Sequence, residues 1–362
     1  MPEGLRKDIK MKKLIALLLI LTLSLTVLAS CNIFSGNENE QNGASNENSG
    51  TEDNTVIRIG YMQGPTGMGM AKLIHDNGGA AGNQKYQFTK FEDASKATAA
   101  LLSGSIDMAC LPTNNAAIIY NTKNAAAQVL ALNCLNSLFL LTKSGTEITS
   151  FEDLEGKTIY TISNGTPKVI LQHILNEKGI NATIATEAVI NGDTKALAQP
   201  SNLASAMIAG AVDIALVPEP VATAAPLQVA NQNKGYTYKV ALDITDVWET
   251  ISENPIAMGC IVGRTDFVKE HKNITDAFLA EYKSSIEFIA NKENIDTSAA
   301  YIVEAGVLGA AGPAKKSLTN LGNAISYVDG EEMKKVLIDF YNSINVNLIG
   351  GKLPDDNFYY KK

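Results

Sequence analysis

From residue 56 onward, short apolar runs bounded by glycine, proline or asparagine alternate with segments in which apolar positions return every three or four residues. Continuous apolar runs read as buried strands and the 3.6-residue period as helix. The pattern predicts strands over 56–62, 86–91, 106–111, 125–132, 138–142, 158–162, 183–190, 236–242 and 256–264. Helices are expected over 66–75, 94–103, 113–120, 168–178 and 221–230, with another ending over 203–209. Past residue 264 the chain turns mostly helical, over 267–269, 274–290, 298–305, 314–321 and 331–342. Ile274, Phe278, Tyr282, Ser285 and Ile289 fall on one face of the second of these. Strands interleaved with helices specify an α/β fold.

One stretch is written twice. Gly-Ser-Ile-Asp-Met-Ala-Cys-Leu-Pro at 104–112 returns as Gly-Ala-Val-Asp-Ile-Ala-Leu-Val-Pro at 210–218, there followed by Glu219-Pro220, and each copy follows an Ala-rich helical run. Glycine just past a helix supplies its left-handed end, the apolar run forms a buried strand, and proline opens the next helix. The runs 57–69 and 158–167 echo each other in the same order, each a strand followed by a Gly/Pro/Thr loop. Two similar lobes follow: the first from 56–142 and 250–362, the second from 143–249, with the chain crossing at 143–149 and again at 243–255. In open α/β sheets ligands bind at the loops beyond the carboxyl ends of strands, so a ligand would sit between the two repeated loops.

The amino terminus carries a different signal. Lys12-Lys13 precedes an apolar run over 14–27 and then Leu28-Ala29-Ser30-Cys31, which is the order of a basic region, an apolar region and a small-residue cleavage point. It resembles a bacterial lipoprotein signal over residues 1–30, with Cys31 lipidated as the new amino terminus and Met11 an alternative start to Met1. Residues 31–55 are rich in Asn, Glu, Gly and Ser and read as a disordered tether, spanning roughly 25–30 Å root-mean-square. Two acyl chains, at about 0.8 kcal/mol per buried methylene, hold such a protein on a bilayer.

Composition narrows the partners. The net charge of −8 falls to about −11 without residues 1–30, which carry five Lys/Arg and two Asp/Glu, and an acidic body excludes nucleic acid. Cys110, Cys134 and Cys260 lie in apolar runs with neither disulfide nor metal spacing and read as buried small hydrophobes, although pairing of two of them stays open.

Ile59-Gly60-Tyr61, Gly64-Pro65-Thr66-Gly67, the two Gly-x-x-Asp copies, Asp153-Leu154-x-Gly156-Lys157-Thr158 and Phe267-Val268-Lys269-Glu270-His271 together resemble the substrate-binding lipoproteins of ABC importers. The similarity is to the nitrate/sulfonate/taurine and thiamine-precursor (NMT1/THI5-like) group, and it covers nearly all of 56–345. It implies a type II periplasmic-binding-protein-like fold, two α/β lobes joined by a two-segment hinge, closing on a small polar solute and delivering it to an ABC permease. The implied protein is a monomer on the outer face of the cytoplasmic membrane, without cofactor or metal.

In this scheme Gln63, Pro65, Thr66, Gly67 and Met68 of the first loop face Ser163, Asn164, Gly165 and Thr166 of its echo. Thr113 and Asn114 follow the first motif, Glu219 follows the second, and Asn136 lies near the first crossing. Thr113 reads equally as a helix cap, and Met68, Tyr61 and Trp248 as core. Apart from Lys168 these loops hold no Arg or Lys; an ionised, ligand-facing Glu219 would favour a cationic or hydrogen-donating ligand. A sensing receptor lipoprotein and an enzyme of pyrimidine or menaquinone-pathway type are the competing classes on this fold. Against the enzyme, His75, His173 and His271 are widely separated with no accompanying Cys/His cluster.

Overall fold

In the computed structural model, which describes residues 54–163 and 165–362, the apolar runs assemble into two five-stranded sheets and a small hairpin. In chain order the strands are β1 (Ile57–Met62), β2 (Tyr86–Phe91), β3 (Met108–Pro112), β4 (Ala127–Leu135), β5 (Leu138–Lys143), β6 (Thr158–Tyr160), β7 (Thr183–Ala185), β8 (Glu187–Ile190), β9 (Asp193–Ala196), β10 (Ile214–Pro218), β11 (Tyr238–Asp243) and β12 (Ala257–Arg264). The first sheet runs β2-β1-β3-β12-β4 and the second β11-β5-β10-β6-β7. The two copies of the repeated motif, β3 and β10, are the central strands. Each has a parallel neighbour from its own half, β1 or β6, and an antiparallel neighbour on the other side, β12 or β5. The described residues belong to one compact unit.

The aspartate of the motif has a structural use in the first copy. Asp107, 1% exposed, accepts from the backbone N–H of Arg58 at 2.9 Å and from its guanidinium at 2.9 and 2.6 Å, which ties β1 to the start of β3. Arg264 of β12 reaches the same carboxylate at 3.7 Å. In the second copy Asp213 is exposed and its side chain pairs with Lys143, at 3.3 Å.

Three expectations change. The strand expected over 138–142 in the first lobe is β5, which sits in the second sheet between β10 and β11. The first crossing is therefore residues 136–137 rather than 143–149; Lys143 ends a strand, and Ser150 and Asp153 cap the short 3-10 helix Phe151–Leu154 that follows. The strand expected over 183–190 splits at Thr186, where the chain leaves β7, paired with β6 in the second sheet, for β8 in the separate hairpin, whose two-residue turn is Asn191-Gly192, with φ of 54° and 88°. It pairs β8 with β9, which has no apolar pattern. The helix expected over 66–75 breaks into Pro65–Met68 and Ala71–Asp76. Ser285 secures this break, its hydroxyl donating to the Gly69 carbonyl at 2.7 Å and accepting from the Leu73 N–H at 3.0 Å.

The core continues through both sheets. One cluster joins Val129 and Val262 of the first to Leu140 and Leu216 of the second through Ile170, Trp248 and Phe340. Trp248, 1% exposed, donates its indole N–H to the Asn254 carbonyl at 2.7 Å, so the second crossing is anchored in that core. A second cluster packs the helices Ala71–Asp76, Lys272–Ala290, Ile295–Glu304 and Ala311–Leu321 on the first sheet. Phe278, Tyr282, Ser285 and Ile289 are buried as their spacing predicts. Among the described residues no helix is long and apolar enough to cross a membrane.

The two crossings are pinned to each other. Asn136 takes a left-handed φ of 39°; its N–H donates to the Ile256 carbonyl at 3.1 Å and its Oδ1 accepts from the Ile256 N–H at 2.7 Å. Asn136→Ala removes one of these bonds and places a β-branch-free but chiral side chain in a costly conformation, a loss of about 1–2 kcal/mol. Asn136→Asp keeps the acceptor and loses less. Urea denaturation of the two variants checks the order, and equal losses would show that the side-chain bond contributes nothing.

Candidate functional site

The carboxyl ends of the parallel strands of both sheets open on one cavity of about 710 Å³. Its wall takes residues from the loops after β1, β2 and β3 on one side and after β6 and β10 on the other. Six helices begin at this wall, at Pro65, Ala94, Thr113, Thr166, Pro200 and Val221. The first N–H groups of a helix have no partner within it and carry partial positive charge, so the cavity offers donors without needing basic side chains.

Of the expected contacts, Gln63, Pro65, Thr66, Asn114, Ser163, Gly165, Thr166 and Glu219 line the cavity. Asn164 and Cys31 lie outside the described residues. Asn114 and Thr166 meet across the gap. Both are buried, at 5% and 1% exposure, and the Thr166 hydroxyl donates to Asn114 Oδ1 at 3.3 Å. The Asn114 amide nitrogen finds no partner among the described residues, which leaves two N–H donors at a wall position of the cavity.

Four expected contacts are elsewhere. Met68 is fully buried in the core of the first sheet. Gly67 is a packing residue: a β-carbon there would lie 1.9 Å from the Met62 carbonyl oxygen. Thr113 is spent on the scaffold, its hydroxyl donating to the Ala257 carbonyl at 2.5 Å while its own carbonyl accepts from Tyr341 at 2.8 Å. Asn136 is the pin between the crossings. Tyr61 and Trp248 are core.

Glu219 borders the cavity but is fully buried, and its carboxylate is already occupied. Oε1 accepts from Thr223 Oγ1 at 2.8 Å and Asn320 Nδ2 at 2.9 Å; Oε2 accepts from Ser317 Oγ at 3.2 Å and the Thr223 N–H at 3.3 Å. Burial raises its pKa above the ordinary carboxyl range against the opposing pull of these donors. A preference for cationic ligands therefore has no basis in Glu219.

Sequence reasoning missed the loop 92–95 and the segment 198–201, which also line the cavity. Asp93 caps the helix Ala94–Leu102, accepting from the Lys96 N–H at 2.8 Å, and accepts from Gln199 Nε2 at 3.0 Å from the opposite side. The strand-end rule applied to β2 would have found the first, and Gln199 before Pro200 is the helix-start signal that marks the second. Of the charged wall residues, Glu92 pairs with Lys96, and Lys168 has no acidic partner among the described residues. Among the described residues no aromatic side chain lines the cavity.

The described residues hold no group of three His, Cys, Asp or Glu placed to bind a metal. Cys110, Cys134 and Cys260 are free and buried, and burial pushes the thiols of Cys110 and Cys134 up to about 12. They are inert small hydrophobes.

Solved structures with the same fold include periplasmic binding proteins. An ABC transporter protein from Parabacteroides distasonis superposes with a TM-score of 0.67 at 20% identity, covering 85% of this chain and 99% of its own. The periplasmic aliphatic sulphonate binding protein SsuA from Escherichia coli gives 0.58 at 17%, covering 81% and 91%. The periplasmic nitrate-binding protein NrtA from Synechocystis gives 0.55 at 16%, covering 78% and 75%. The fold is that of the type II periplasmic binding proteins. A comparison with curated protein sequences finds no match. The NMT1/THI5-like family profile matches residues 85–294, more than half of the sequence, and the chain belongs to that family.

Proposed function

We propose that this protein is an extracytoplasmic solute-binding lipoprotein of an ABC importer. It captures a small polar molecule between two lobes and delivers it to a membrane permease. The observation that carries this reading is the cavity of about 710 Å³ walled by strand-end loops of both sheets, with Asn114 and Thr166 in contact across it. A solute that touches both walls only when they approach binds the closed form better, and this differential affinity shifts the population toward closure. The crossings at 136–137 and 243–255 are the hinge, and the lobes correspond to the two sheets with their helices. Cys31 carries the acyl chains, residues 31–55 serve as the tether, and the folded body works as a monomer.

The donors around the cavity suit a ligand rich in acceptor oxygens or nitrogens. Ligand-dependent stabilisation of RT ln(1 + [L]/Kd) without turnover is the signature of binding. Native mass spectrometry of protein isolated from its own host identifies the co-purified molecule, which then serves as the titrant. Asn114→Ala is expected to weaken its binding about tenfold, one lost hydrogen-bonding group at about 1.4 kcal/mol, with little change in the ligand-free melting temperature. Equal affinity in the variant, or conversion of the bound molecule into a product, overturns this reading.

A further inference from the structure

We propose that Glu219 is a positioning residue, a catch that fastens the carboxyl-terminal helices to the second lobe and so governs opening of the cleft. This rests on the two-lobe closure described above and concerns how closure is held rather than what is bound. The helix Ala311–Leu321 belongs to the first lobe by its packing, with Ala314, Leu318 and Leu321 in the same cluster as Ile59 and Phe278. From that position Ser317 and Asn320 reach over to Glu219, at the end of β10 in the second lobe, and Asn320 also donates to Thr223 at 2.8 Å. The Glu219 N–H donates to the Ser137 carbonyl at 3.3 Å, within the first crossing. One residue therefore touches the second lobe, the hinge and the carboxyl-terminal helices.

The chemistry of the catch is unusual. Glu219, Ser317 and Thr223 are 0%, 0% and 2% exposed, and every group that bonds the carboxylate is neutral. A buried carboxylate without a cation is tolerable only while its donors stay in place. Two of its four donors are on the helix Ala311–Leu321, so any motion that carries this helix away leaves the carboxylate under-bonded unless water enters. Closure satisfies the group and separation exposes the penalty. The residue acts on the cavity through the lobes and contributes no ligand contact of its own.

Hydrogen exchange of the full-length protein without added solute tests this. Replacing both donors, Ser317→Ala with Asn320→Ala, is expected to lower protection about tenfold in the helices Val221–Asn231 and Ala311–Leu321. The same loss is expected at the start of the helix Thr166–Lys178, which meets Asn114 on the far side of the cavity. Adding Glu219→Gln, which removes the stranded charge at constant size, restores most of that protection; a simple packing defect would persist. Ser317→Ala alone repeats the test at smaller amplitude if the double variant is poorly folded. Loss confined to the two contacting helices, or loss that Glu219→Gln fails to reverse, overturns the proposal. Neither result depends on a ligand, so a failure of solute binding is read separately.

Discussion

Gly67→Ala is expected to lower stability by about 3 kcal/mol, a fall in melting temperature of roughly 6–10 °C, and to abolish solute binding. A β-carbon at Gly67 falls 1.9 Å from the Met62 carbonyl oxygen and 3.1 Å from its carbonyl carbon. The obstacle is backbone at the end of β1, so no side chain can turn aside to relieve it. Relief requires the turn 63–67 to move outward, which displaces Gln63 and Thr66 from the wall and breaks the Gly67 N–H bond to the Gly64 carbonyl at 3.0 Å. Gly312→Ala is the control. It lies inside a helix with nothing within 4 Å of the added carbon, and alanine there is neutral or mildly stabilising. Calorimetry of the two variants beside the parent decides the matter; a Gly67→Ala protein that melts like the parent would show the turn to be plastic.

Asp107→Ala is the second large effect, a loss of about 3 kcal/mol. The substitution leaves the Arg58 backbone N–H unsatisfied between β1 and β3 and removes the acceptor of its guanidinium. Arg58 is partly exposed and can turn its side chain to water, which keeps the loss below that of a wholly buried pair. Asp107→Asn keeps one acceptor oxygen and is expected to lose about half as much. Asp213→Ala, at the same position of the second copy, is expected to change little, because its side chain is 69% exposed and its partner is a single lysine. Guanidinium unfolding of the three variants separates them, and matching losses at 107 and 213 would mean that the repeat uses its aspartates alike.

The repeat shows how far the amino-acid pattern reaches. G-x-[IV]-D-[IM]-A-x-[LV]-P locates the central strand of each sheet and the loop that follows it, because a buried parallel strand and its glycine and proline boundaries are local requirements. The pattern is silent about β5: an apolar run beside a polar stretch looks the same in either sheet, and only the left-handed turn at Asn136 sends it to the second. Asn191-Gly192 is a legible hairpin signal, obscured because β9, Asp-Thr-Lys-Ala, is exposed throughout and has no apolar alternation. At the site, strand-end loops brought eight of the expected residues to the cavity. Thr113 and Glu219 sit at the right positions with the wrong orientation. Thr223, four residues on, holds Glu219 locally, but the other partners that claim their polar atoms, Ala257 for Thr113 and Ser317 and Asn320 for Glu219, lie about a hundred residues or more away, which no local pattern encodes. Gln199 and Asp93 meet for the same long-range reason.

β12 is inserted between β3 and β4, about 145 residues after β3 in the chain. A nascent polypeptide that has reached residue 250 already contains every strand of the second sheet and still lacks the middle of the first. Until residues 257–264 arrive, β3 and β4 have no common partner and each presents a bare, adhesive flank. The half made first must therefore be completed last, and the interval during which it is prone to stick to its neighbours is set by how soon the returning strand follows.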